Sequence, residues 1–187
     1  MTGQRIGVFC GASPGNRPGY LDSAHRLGTA LAERGFGLVY GGSAGGIMGT
    51  VAQATMTAGG TVIGVIPRHL TEHDPVKADI HECHVVDTMH ERKAMMYRLS
   101  DAFITLPGGL GTLDELFETL TWGKLGLHSK PVVVLNIDGY YDILSGLLDQ
   151  AFTEGFISAF DRGLVRMAAS ADEAVDLAGA SLLSITV

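Results

Sequence analysis

Short apolar runs alternate with amphipathic segments along this chain. Ile6-Gly7-Val8-Phe9-Cys10, Phe36-Gly37-Leu38-Val39-Tyr40, Thr61 to Ile66, Ala102 to Leu106 and Pro131 to Leu135 are apolar almost throughout. A strand with one wet face alternates apolar and polar residues. Near-continuous apolar runs belong to strands covered on both sides. Between them lie segments of helical spacing. One runs from about Leu21 to Arg34, with Ala24, Leu27 and Leu31 on one face and Gly35 as its stop. Others span Ile47 to Ala58, Met89 to Leu99 and Tyr141 to Glu154, and one begins near Thr112. A last strand at Leu164-Val165-Arg166 and a helix from Ala171 to Ala178 close the pattern. Arg68 to Asp87 reads as a loop with a short strand at His84-Val85-Val86. Strands alternating with helices predict an α/β fold, a parallel sheet with helices on both faces. No repeat or linker divides residues 1–187, so a single domain is expected.

Composition narrows the functional classes. Hydrophobic residues make up 46% of the 187 residues and charged residues 18%, which excludes intrinsic disorder. The longest apolar stretches, such as Val132-Val133-Val134-Leu135, are too short to cross a bilayer, and the first residues lack the apolar segment of a signal peptide. A cytoplasmic protein without membrane attachment is expected. The net charge of −7 opposes general attraction to nucleic acid, yet leaves room for a small anion held by local donors. Cys10 and Cys83 are far apart in sequence and are expected to be free, buried thiols.

Three glycine-rich loops leave strand ends: Gly11-Ala12-Ser13, Gly41 to Gly49, and Gly108 to Gly111. In a parallel sheet all three gather at one edge, where ligands of such folds bind. Glycine brings backbone amides close to a ligand, and a following helix adds free amides and a positive dipole end. Two loops of strand–loop–helix form converging on one edge favour a phosphate-bearing ligand over plain turns. No Gly-Lys-Ser/Thr tripeptide is present, so no ATP-type phosphate loop is expected. No strand leads into G-x-G-x-x-G, which disfavours a dinucleotide dehydrogenase.

Thr112-Leu113-Asp114-Glu115 fits a capping box, with Thr112 as N-cap and Glu115 reaching back to its amide. The same spacing places Glu115 at the mouth of the site, and both roles remain open. His90-Glu91-Arg92-Lys93 reads either as a solvated charged turn or as a source of anion partners. His69, His73, His81, His84 and Cys83 match no tight zinc spacing, so no metal is expected. G-x-S-x-G is missing. Phe117 and Trp122 are expected in the core or in an oligomer contact.

Pro107-Gly108-Gly109-Leu110-Gly111-Thr112-Leu113-Asp114-Glu115 resembles the PGGxGTxxE signature of the LOG ("Lonely Guy") family. These are cytokinin riboside 5′-monophosphate phosphoribohydrolases, long described as lysine decarboxylases. Met89-His90-Glu91-Arg92-Lys93 resembles their second signature and Cys10-Gly11-Ala12-Ser13 their first strand-end loop. Thr121-Trp122, Lys130-Pro131 and Asp138-Gly139-Tyr140-Tyr141 are similar too, so the likeness covers nearly the whole chain. Where the family has three consecutive glycines, this chain has Gly41-Gly42-Ser43, and it carries Ile47 where Leu is usual. The loop from Arg68 to His84 is the least family-like part and leaves the choice of base open.

The resemblance implies a Rossmann-like doubly wound sheet, a homodimer with the site near its interface, and no cofactor. It implies hydrolysis of the N-glycosidic bond of a nucleoside 5′-monophosphate to free base and ribose 5-phosphate. It implies Arg92 and Glu115 as the catalytic pair. The expected nucleotide-binding residues are Ser13, Gly42, Ser43, Asp74, Met89, Lys93, Gly108, Gly109, Gly111, Thr112, Asp114 and Thr121. A carboxylate such as Glu115 can stabilise the positive charge that builds on the ribose ring and activate water. Arg92 is too weak an acid for proton transfer and suits electrostatic positioning. Two other functions fit the same residues: a general purine-monophosphate nucleosidase and a non-catalytic nucleotide or cofactor carrier.

Overall fold

The structure, a computed structural model, describes residues 3–71 and 79–183. The strands are β1 (Arg5–Phe9), β2 (Gly37–Tyr40), β3 (Val62–Pro67), β4 (Glu82–Val86), β5 (Ala102–Thr105), β6 (Val132–Leu135) and β7 (Val165–Ala168). Among the described residues they form one sheet in the order β4-β3-β2-β1-β5-β6-β7, with every neighbouring pair parallel. The helices are α1 (Pro18–Glu33), α2 (Gly46–Thr57), α3 (Met89–Leu99), α4 (Leu110–Lys124), α5 (Asp142–Thr153), α6 (Ala159–Gly163) and α7 (Ala171–Leu183). This is the expected doubly wound, Rossmann-like α/β arrangement.

The two faces of the sheet bury separate cores. Ile6, Val8 and Cys10 of the first strand and its end pack with Leu27 of α1, Val51 of α2 and Val175 of α7. Phe9 on the opposite face joins Val65, Phe103, Met96 of α3 and Leu116 of α4. The period of two along each strand thus serves two apolar layers, which is why the strands read as unbroken apolar runs. Phe9 stacks on Phe103 with centroids 5.3 Å apart, and Tyr97 stacks on the same ring at 5.9 Å. A network of Arg26 and Arg34 with Asp172 and Asp176 ties α1 to α7 at the surface.

The chain winds outward from β1 to β4 and then returns to lay β5 beside β1. The loops after β1 and β5 therefore diverge from a topological switch point, where a crevice opens beyond the carboxyl ends of the strands.

Several boundaries differ from the sequence expectation. The first helix starts at Pro18, three residues before Leu21, because Pro is preorganised for a first helical position where no amide donor is needed. The edge strand β4 covers Glu82–Val86, longer than the expected three residues; its exposed edge dilutes the apolar pattern. The short helix α6 was not expected, although Ser158 and Asp161 form its capping box. The final helix runs on to Leu183. Cys10 is buried as expected, but Cys83 is exposed on the edge strand; both are free.

Candidate active site

At the switch point lies a cavity of about 410 Å³, within the usual range for small-molecule sites. Its walls are the loop after β1 (Cys10 to Ser13), the start of α2 (Ile47, Met48), Arg92 of α3, the Pro107–Gly109 loop with the first turns of α4, and Tyr20 and Tyr140.

The two signature motifs meet here through α3 and α4. Thr88 caps α3: its hydroxyl accepts the Glu91 N–H at 3.1 Å, and Glu91 returns a carboxylate to the Thr88 N–H. This box sets the first turn of α3 so that Arg92 points inward. Arg92 is only 7% exposed, so the solvated-turn reading is overturned at that residue. Its Nε donates to the Val65 carbonyl at 3.2 Å, and Nη1 lies 4.0 Å from the Met89 sulfur. A Cβ on Gly41 would overlap Nη2 of Arg92. Gly41 therefore makes room for the guanidinium.

The expected capping box of α4 is not formed. The helix begins at Leu110 with Gly109 as N-cap, and no side chain caps it. Three extra residues enter the helix because glycines carry the chain into it without a polar side chain competing for the amides. Glu115 is thereby released from capping. It is 4% exposed, with Oε1 3.5 Å from Nη1 of Arg92. That separation is an ion-pair contact and too long for a good hydrogen bond. Oε1 has no hydrogen-bond partner among the described residues. Burial pushes the Glu115 carboxyl up to about 7, and the nearby Arg92 charge works against that rise. A carboxyl so placed changes protonation near neutral pH, a property common to acid–base groups in active sites.

The start of α4 is uncapped, and a helix start of that kind can accept an anion. Gly109 and Gly111 face open space: a Cβ on either would meet no atom within 4 Å, and neither has a positive φ. Nothing among the described residues demands glycine there, and glycine lowers helix stability. The gain is access for something outside the chain to the backbone amides.

The expected site residues divide into groups. Ser13, Arg92, Gly108, Gly109, Gly111, Thr112 and Glu115 line the cavity together. Met89 backs Arg92 through its sulfur. Lys93 stands behind the wall, held by Asp114 at 2.9 Å and Glu118 at 3.0 Å. Partial burial opposes its charge, but the two carboxylates outweigh this and raise its pKa. Gly42 and Ser43 are not in the wall. Ser43 is buried and its hydroxyl accepts the Gly45 N–H at 3.1 Å. That loop braces its neighbour: Met48 N–H bonds to the Gly11 carbonyl at 3.2 Å. Gly46 adopts φ of +56° against the Ala12 carbonyl, where a side chain would collide. Thr121 lies on the exposed ridge of α4, bonded to the Phe117 carbonyl, away from this chain's cavity. Asp74 and His73 lie outside the described residues. Among those described, no three of His, Cys, Asp and Glu gather to hold a metal ion.

Cys10, Tyr20, Ile47, Met48 and Tyr140 also line the cavity and were not foreseen. Cys10 and Tyr140 follow strands β1 and β6 at the same sheet edge, a signal available in the sequence. Burial drives the Cys10 thiol far above its ordinary range, so it remains a thiol.

Comparison with known proteins agrees with this geometry. A family model described as "Possible lysine decarboxylase" matches residues 48–178. Cytokinin riboside 5′-monophosphate phosphoribohydrolase LOG1 of Arabidopsis thaliana is 49% identical over 172 residues, covering 92% of this chain and 81% of the relative. The chain belongs to the LOG family. The rice enzyme LOG (Oryza sativa subsp. japonica) is 48% identical over 172 residues, covering 92% of this chain and 71% of its own. Among solved structures, the molybdenum cofactor carrier protein of Chlamydomonas reinhardtii superposes with a TM-score of 0.75 at 26% identity, covering 97% of this chain and 98% of that one. The LOG fold thus also occurs in a protein described as a carrier.

The open space at Gly111 makes a prediction. Gly111→Ala should leave the fold as stable or up to about 1 kcal/mol more stable in denaturant unfolding, since alanine favours helix. The same variant should bind AMP at least tenfold more weakly by calorimetry. Unchanged AMP affinity would remove the cradle from the site.

Proposed function

We propose that this LOG-family protein hydrolyses the N-glycosidic bond of nucleoside 5′-monophosphates, releasing the base and ribose 5-phosphate. One observation carries the reading: a buried carboxyl, Glu115, whose Oε1 has no hydrogen-bond partner among the described residues, shares a cavity with a buried guanidinium and an uncapped, glycine-lined helix start. The relatives' printed activity, on cytokinin riboside 5′-monophosphates, supports it.

The residues divide the work by charge. The α4 amides at Gly109 to Thr112, with Ser13 at the facing loop, hold the 5′-phosphate. This grip on a part of the substrate that does not react orients the ribose above Glu115. As the bond to the base lengthens, positive charge builds on the ribose ring and negative charge on the base. The Glu115 carboxylate stabilises the first and draws a proton from the attacking water, whose oxygen bonds to C1′ as the C1′–N bond breaks; the departing base takes a proton from solvent, and Glu115 later returns its own there. Arg92, held by the Val65 carbonyl, faces the negative charge without transferring a proton. Lys93, Asp114 and Glu118 fix the α3–α4 contact that keeps the pair together.

The working unit we infer is a homodimer. Leu110 is 87% exposed and Leu125 65%, and with Phe117 and Thr121 they share the outer ridge of α4. Large apolar side chains beside a cavity mouth suit cover by a second copy. In that assembly Thr121 serves a site shared with the other protomer. Leu110→Asp with Phe117→Asp should therefore shift the protein to monomer in sedimentation velocity. Persistence of the wild-type mass in that variant would argue against this interface.

Incubation with AMP and with isopentenyladenosine monophosphate should release free base from at least one of them. Glu115→Gln should lower turnover at least about a hundredfold, the scale of a positioned acid–base group, while nucleotide binding persists. Binding of both nucleotides with no product would favour the carrier reading. Equal cleavage of both would favour a general purine nucleosidase. Unaltered turnover in Glu115→Gln would remove its catalytic role.

A further inference from the structure

The loop Leu106-Pro107-Gly108 offers three successive carbonyls, and each is held by a donor from elsewhere in the fold. Leu106 O accepts the Tyr141 hydroxyl at 2.7 Å, Pro107 O accepts the Gly11 N–H at 3.1 Å, and Gly108 O accepts the Tyr140 hydroxyl at 2.6 Å. In a trans peptide unit the C=O of one residue and the N–H of the next point in opposite directions. Fixing the Pro107 and Gly108 carbonyls therefore fixes the amides of Gly108 and Gly109. Glycine places little steric restraint on such a peptide plane, so an outside donor is needed to keep the amides in one orientation.

The donors are themselves well held. Tyr141 is 1% exposed, and its N–H bonds to the Asn136 side chain at 2.7 Å; the Asn136 amide in turn donates to Asp142 at 2.7 Å. The Tyr140 ring meets Tyr141 edge-on with centroids 4.8 Å apart and Tyr20 edge-on at 5.8 Å. Arg17 closes the shelf from the start of α1 by donating to the Asp138 carbonyl at 3.0 Å. A buried hydroxyl such as that of Tyr141 needs a partner on general grounds. Tyr140 is different: at 41% exposure water is available to it, yet its hydroxyl takes the Gly108 carbonyl.

We propose that Tyr140 is a positioning residue that clamps the Gly108 carbonyl and so holds the Gly109 amide at the start of α4 ready for a 5′-phosphate, while Tyr141 anchors the same loop at Leu106 without orienting an amide, because the next residue is Pro107. This rests on the nucleotide reading above. Tyr140→Phe removes one hydroxyl and keeps the ring. The measurement is calorimetric affinity for AMP and for adenosine, which lacks the phosphate. Tyr140→Phe should lose about tenfold in AMP affinity and less than twofold in adenosine affinity, with the melting temperature within about 2 °C of wild type. Tyr141→Phe should keep the AMP-to-adenosine ratio within twofold of wild type, since the Leu106–Pro107 peptide has no N–H, with some loss of stability because its partner carbonyl is buried. Equal losses on both ligands, or an unchanged ratio, in Tyr140→Phe would overturn the clamp, as would a ratio narrowed as much in Tyr141→Phe. So would a wild-type protein with no preference for AMP over adenosine. Release of adenine from AMP is scored separately, so a protein that binds without cleaving would refute the hydrolysis reading while the ratio still tests the clamp.

Discussion

A carboxyl group buried beside a guanidinium, with one oxygen that no described residue hydrogen-bonds, is the constraint around which the rest of this fold is arranged. Burial of Glu115 works against its charge and Arg92 works in favour of it. Neither effect is left to chance. Arg92 is fixed by the end of β3 and passes through the space that Gly41 leaves. Glu115 is free because α4 begins three residues earlier than a Thr112 cap would allow. A polar group held unpaired in this way is unfavourable for folding, and such groups persist where a ligand completes them.

The sheet order supplies the place. Reversal of the winding between β1 and β5 separates the loops that follow them, and α3 and α4 cross the opening from the same face. The three glycine loops at this edge then have different duties. The one after β5 opens amides to the cavity, the one after β1 faces it, and the one after β2 underpins the second. The aromatic shelf after β6 holds the first from outside.

Much of this was legible in the residues. Unbroken apolar strands identified a sheet covered on both faces, and glycines at strand ends identified the ligand edge. Arg92 and Glu115 came from the likeness to LOG proteins; spacing alone left each with an ordinary alternative. For Arg92 that alternative failed because the box between Thr88 and Glu91 turns the side chain inward, a matter of one helical turn. For Glu115 it failed because glycine at the N-cap outcompeted a Thr112 start. Tyr140 and Tyr141 were part of the likeness, but their hydroxyls act across 32 and 35 residues of sequence, beyond what local periodicity reports. The edge strand β4 was underestimated because one exposed margin breaks the apolar pattern.

The most direct test is an infrared titration of the carboxylic acid C=O band in the ligand-free protein from pH 5 to 9, differenced against Glu115→Gln. A raised, buried carboxyl predicts one acid band that disappears with a midpoint near 7 and is missing from the variant. A difference spectrum showing Glu115 already ionised at pH 5 would contradict it.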